Sequence, residues 1–211
     1  MTTVEALLHL RGPEDLTDCS TLLNRLVRLD PTGLVRLQHD AEKVSLWAQP
    51  LNVVVRREVH GRMTVADRTV SAAAMLVAVD GPGSVLLPPP RDRAWTVTLP
   101  PRGGWAALDV VPVAELRQLT ARAARVVREA SDPSGAGESL LDQETLRVAG
   151  GTDEVVLPLR VVVVLTRLGF LGPAGQTVDV VRVACTPTWT RLAARHGTVY
   201  QRRAGLGLGF G

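Results

Sequence analysis

VVLPLRVVVVLTRLGFLG, residues 155–172, decides how the second half of the chain is read. A membrane span needs about 20 consecutive apolar residues, and here Pro158, Arg160 and Arg167 interrupt a shorter run. Four consecutive valines favour a strand by propensity. A strand, however, would send Arg160 and Arg167 to opposite faces of a sheet, because they lie an odd number of residues apart. A helix places both arginines on one face, two turns apart. Its other face then gathers Leu157, Val161, Val164, Leu165 and Leu168. Pro158 suits a first helical turn and Gly169 a residue just past the last. The stretch therefore predicts a largely buried helix with a narrow arginine stripe.

Working outward from it, VDVVRVAC, TWTRLAA and TVYQRR read as strands, with Arg195–Gly197 as the tight turn of a hairpin. Upstream, SLLDQETLRVA reads as a short amphipathic helix ending at Gly150 and Gly151. PVAELRQLTARAARVVREA, from Pro112, is a clear helix with Pro in its first turn and Arg125 and Arg128 late. Helix, short helix, helix and basic hairpin is the order of a winged-helix-like unit. SDPSGAGES, residues 131–139, separates the helices as a flexible hinge.

In the first half, Pro13 and the acids Glu14, Asp15 and Asp18 open a helix whose leucines recur at helical spacing. Asp30, Pro31 and Gly33 stop it. GLVRLQ, KVSLWA and LNVVVRREV then read as a three-stranded antiparallel meander. VSAAAMLVAV suggests a short buried helix. LPPPRDRAWTVTLPPRGGW, residues 87–105, is loop with AWTVTL as a brief strand. The expected fold is α+β. An N-terminal helix on a small antiparallel sheet occupies 1–110, and a C-terminal helical unit with a basic β-hairpin occupies 111–211.

The 211 residues are 45% hydrophobic but only 3% aromatic, so a Val/Leu/Ala core is implied. Lys43 is the sole lysine among 24 basic residues, a ratio that GC-rich bacterial coding explains. Charge is unevenly spread. Residues 1–110 hold 12 basic and 12 acidic side chains, and 111–155 hold 5 and 8. Beyond residue 155 stand Arg160, Arg167, Arg182, Arg191, Arg195, Arg202 and Arg203 against Asp179 alone. These seven are the candidates for binding an anion or nucleic acid. On a hairpin they would hold phosphates rather than read bases. Arg91, Arg93, Trp95, Arg102 and Trp105 form a second candidate set. Tryptophan and arginine are enriched at binding hot spots, and proline-framed loops lose little entropy on contact.

Catalytic and metal signatures are missing from the sequence. His9, His39, His60 and His196 make no HxxxH or HExxH pair, and Cys19 and Cys185 lack metal spacing. GLGLGFG at the C-terminus has no following helix to make it a phosphate loop. No metal and no cofactor are expected. The N-terminal MTTVEALLHLRGPEDL carries no basic segment ahead of a long apolar run. A bacterial cytoplasmic protein with two reduced thiols is expected, with no membrane contact. By elimination the sequence points to a non-catalytic binding or assembly protein that contacts a protein partner or itself. Two alternatives stand beside it: a nucleic-acid-binding regulator using the C-terminal hairpin, and an enzyme whose site is assembled from dispersed residues.

Overall fold

The computed structural model describes residues 5–79, 84–129, 139–173 and 179–203. Contacts divide the chain into a first unit, residues 1–99, and a second, residues 100–211. Of the hinge expected at 131–139, only Ser139 falls within the described residues, and the GLGLGFG tail lies outside them.

The first unit runs β1 (Leu7–Leu10), α1 (Pro13–Leu29), β2 (Leu34–Asp40), β3 (Lys43–Ala48), β4 (Val54–Met63), β5 (Asp67–Ser71), α2 (Ala72–Ala78) and β6 (Val85–Leu86). Pro13 occupies the first turn of α1 with Glu14 and Asp15, and Arg28 lies in its last. Both placements favour the helix dipole. Cys19, Leu22, Leu23 and Leu26 form its buried stripe, each leucine contributing about 1.5–3 kcal/mol by leaving water. The meander pairs antiparallel, β2 with β3 and β3 with β4. It extends through β5 on one side and through β1 and β6 on the other. Strand alternation sends Val35, Leu37, Val44, Leu46, Val55 and Val59 to the buried face. Arg57 shares that face and is paired with Asp18 of α1 at 2.5 Å.

The second unit runs β7 (Ala106–Pro112), α3 (Val113–Glu129), β8 (Glu144–Gly150), β9 (Asp153–Pro158), α4 (Leu159–Arg167), β10 (Val180–Cys185), β11 (Trp189–Ala194) and β12 (Gly197–Arg202). Its sheet order is β7-β10-β11-β12, all antiparallel, and β8 with β9 makes a separate hairpin. Residues 155–172 are therefore two elements. Pro158 ends β9 and serves as the N-cap of α4, and Gly169 takes a left-handed φ of 71° just past the helix. Thr120 and Thr166 bond between α3 and α4 at 3.1 Å, and Arg117 donates to the carbonyl of Gly172 at 2.6 Å. Leu116, Val161, Val164, Leu165, Leu168 and Phe170 are fully buried beside Val181, Leu192 and Val199 of the sheet.

The expected architecture needs correction. The described residues form twelve strands and four α-helices, so this is not a helix on a small sheet followed by a winged helix. The middle helix of that arrangement is mostly strand. Leu146 and Val148 pair with Leu157 and Val155, and Gly151, at φ 62°, turns the chain between β8 and β9. Gly150 and Gly151 thus mark a hairpin turn rather than a helix stop. The brief strand expected at AWTVTL is absent too. That stretch follows a short 3₁₀ turn, Asp92–Ala94, and the Trp95 indole N–H bonds the Val97 carbonyl at 2.9 Å.

Candidate interaction surface

Alternation along β11 places Trp189, Arg191 and Ala193 on one face of the second unit's sheet and Leu192 on the buried face beneath the helices. The register sets Tyr200 opposite Arg191, Arg202 opposite Trp189, and Arg182 opposite Ala193. Three arginines therefore share the face turned away from the helices, one on each of three adjacent strands.

Two of the three are stacked on tryptophan. The Arg191 guanidinium lies 4.7 Å from the centre of the Trp105 ring, and Arg202 lies 5.9 Å from that of Trp189. Trp105 also meets the Tyr200 ring at 5.8 Å with the planes tilted by 50°. Stacking holds a guanidinium flat against the ring by cation–π attraction of about 0.5–2 kcal/mol. The Nε of Arg191 is buried with no acceptor among the described residues. None of Arg182, Arg191 and Arg202 makes an ion pair with the described acids.

The other arginines from the sequence reading do different work. Arg160 is bound to Asp142. Arg195 lies 3.9 Å from Asp179. Arg203 donates to the carbonyls of Thr186 and Glu154, at 3.0 and 3.2 Å, and lies 3.9 Å from Asp153. Arg167 is exposed in the last turn of α4, on the helix side of the sheet. The seven thus separate into three structural arginines, one on the helix side, and a set of three on one sheet face.

The tryptophan loop is also taken apart. Trp95 belongs to the first unit and Trp105 to the second. Arg91, Arg93 and Arg102 are exposed along the loop, but the guanidinium over each indole comes from a strand: Arg36 over Trp95 at 5.9 Å and Arg191 over Trp105. In the first unit Arg36, Trp47 and Arg56 form a cross-strand row with Arg56 stacked on Trp47. That row is neutralised. Arg36 makes a fork to Asp67, and Arg56 lies 3.8 Å from Glu58. Among the described residues the stacked arginines of the second unit make no ion pair, although Arg202 lines a cavity together with Asp142, Glu144 and Glu154.

Trp189 and Tyr200 were not among the residues singled out from sequence. Alternation in TWTRLAA and TVYQRR was a sufficient signal, since it puts each on the same side as an arginine. Among the described residues no group of three His, Cys, Asp or Glu could hold a metal, and no helix is long and apolar enough to cross a membrane.

Residues 100–206, which carry this face, match a family model described as a domain of unknown function, DUF8185. The chain belongs to the DUF8185 family. Residues 3–97 match a second model, DUF8010, described in the same words. Arg182, Arg191, Arg202, Trp105, Trp189 and Tyr200 all lie in the DUF8185 segment. No curated protein matches the chain in sequence. Among solved structures, the β sliding clamp of Caulobacter crescentus is similar over 97% of this chain and 67% of its own, with TM-score 0.59 and 12% identity. A DNA polymerase III β-subunit clamp from Bartonella birtlesii gives TM-score 0.59 and 14% identity over 94% of this chain and 64% of its own. The Bacillus subtilis sliding clamp gives 0.57 and 12%, over 95% and 64%. The DUF8185 chain thus spans about two thirds of the length of these clamps. At such identities the likeness shows the fold, and a sliding-clamp fold replaces the winged-helix expectation.

Proposed function

We propose that this protein is a non-catalytic binding protein of sliding-clamp-like fold that holds an anionic partner on the arginine face of its second unit. One observation carries the reading. Arg182, Arg191 and Arg202 lie together on one sheet face and make no ion pair with a described acid, and two are pinned on indoles. Pinned side chains lose little entropy on contact, so the face is prepared for an anion before it arrives. The clamp-like fold supports the same reading: the solved structures it resembles are DNA polymerase sliding clamps, which fits a protein that works by contact.

Heparin, a generic polyanion, tests this. The salt concentration that elutes the wild type from immobilised heparin is compared with that for R182E/R202E and for R122E/R167E. The second pair lies on the helices and changes net charge equally. The reading expects R182E/R202E to elute at clearly lower salt and R122E/R167E to stay near the wild type. Equal shifts for the two variants would overturn it.

A further inference from the structure

The three arginines have a spacing as well as a charge. Arg191 faces Ala184 on β10 and Tyr200 on β12. Arg182 sits two residues from Ala184 along β10, and Arg202 two residues from Tyr200 along β12. The set therefore descends diagonally across three strands, one strand and two residues at each step. Diagonal neighbours of this kind are about 7–8 Å apart. An extended peptide repeats on one side every two residues, about 6.6–6.8 Å. Carboxylates at alternate positions of an extended segment therefore match the arginine diagonal, and each can take a two-pronged bond from a guanidinium.

We infer that the anionic partner is an extended acidic segment of a protein, with carboxylates at alternate positions, laid across β10, β11 and β12. The inference rests on the reading of this face as an anion-holding surface and names the partner. The same face is poorly made for single-stranded nucleic acid, whose bases need open aromatic rings to stack on. Here a guanidinium covers Trp105 and another covers Trp189, and Trp189 and Tyr200 are only 6% and 3% exposed. The Arg191 Nε has no described acceptor and is buried, so its remaining donors are the terminal nitrogens, the pair that forks onto a carboxylate.

The test uses the full chain and fluorescence anisotropy at low salt with three labelled probes: a (Glu-Thr)₄ peptide, the (Gln-Thr)₄ peptide, and an eight-residue oligodeoxythymidylate. The Glu peptide is expected to bind at least tenfold more tightly than either other probe. R182E/R202E should lose at least tenfold in affinity for it, and R122E/R167E less than threefold. Arg182→Gln guards against misfolding. Its side chain is exposed and makes no described bond, so it should weaken the Glu peptide while leaving the unfolding midpoint unchanged. Tighter binding of the oligonucleotide, reduced by R182E/R202E, would overturn the acidic-peptide inference and leave the anion-holding face standing. Binding of neither anionic probe, or equal binding of the Glu and Gln peptides, would overturn both.

Discussion

Replacing Gly197 with alanine should destabilise the protein through one identifiable collision. Gly197 opens β12, and a Cβ built on it would lie 2.5–2.6 Å from three carbons of the Phe170 ring. Ordinary carbon contacts are about 3.5–4.0 Å, so the ring must retreat by roughly 1 Å. It has little room, because Phe170 is fully buried and its carbonyl accepts the His196 amide at 3.2 Å. Overpacking a tight site costs about 1–3 kcal/mol. For a chain of this length each kcal/mol shifts the thermal midpoint by roughly 2–4 °C, so Gly197→Ala should lower it by roughly 4–8 °C at a cost of about 2 kcal/mol. Scanning calorimetry would measure it beside Gly103→Ala, where nothing lies within 4 Å of the added carbon and no shift is expected. Phe170→Leu supplies the second arm. It costs stability alone, but in its background the Gly197→Ala penalty should shrink by at least half. A Gly197→Ala midpoint within 1 °C of the wild type, or a penalty unchanged by Phe170→Leu, would refute the collision.

Three further outcomes are expected. Burial raises the Asp67 carboxyl, but hydrogen bonds from Arg36 and Gln38 with the Arg36 charge outweigh it and hold the pKa below its ordinary value. That contribution is present above the unfolded pKa, about 3.9, and fades as pH falls through the lower folded one; urea unfolding should show the stability gap between wild type and Asp67→Asn closing below about pH 4, and a constant gap would count against the assignment. Burial pushes the Cys19 thiol up to about 12, so a thiolate-specific disulfide reagent at pH 8 should label it only on unfolding, and rapid labelling of Cys19 in a Cys185→Ser background would contradict the packing. The double change Asp92→Ala and Asp109→Ala should produce concentration-dependent association in sedimentation velocity, because it bares the sheet margins considered below; an unchanged sedimentation profile would show that those carboxylates guard nothing.

The periodic elements were legible and the pairings were not. α1 and the β2-β3-β4 meander follow from leucines at helical spacing and from alternating strands, both local signals. Residues 155–172 misled because one period was fitted to two elements. The parity argument about Arg160 and Arg167 holds only if both lie in one strand, whereas Pro158 ends a strand that precedes Arg160. SLLDQETLRVA misled for a related reason: Leu146 and Val148 fit either a helix stripe or strand alternation, and only pairing with Leu157 and Val155 decides between them. The arginine candidates came from composition, which is blind to geometry. Asp142, Asp153 and Asp179 neutralise Arg160, Arg203 and Arg195 across the fold, and no local pattern announces such partners.

Strands β5 and β7 each pair on one side only among the described strands. Thr69 lies on β5, which pairs only with β2 among the described strands. Its amide donates to the Asp92 carboxylate at 2.6 Å and its carbonyl accepts the Arg91 amide at 2.7 Å. On β7 the Val113 amide bonds Asp179, and in an antiparallel pair the donors alternate sides. The Val110 amide accordingly turns away from β10 and is bonded by the carboxylate of Asp109 at 2.7 Å. Two residues on, Pro112 has no amide hydrogen to offer. Each margin thus spends an aspartate on the backbone donor that a foreign strand would need, one of the ways proteins suppress edge pairing. The same aspartates bear on the arginine face. Asp109 pairs with Val183 and so lies on the face opposite Arg182, and its carboxylate accepts the Val110 amide, so it does not neutralise the arginines as Asp67 neutralises Arg36. Strand addition at these margins is disfavoured, so the proposed partner would meet the face through its side chains rather than an edge through its backbone.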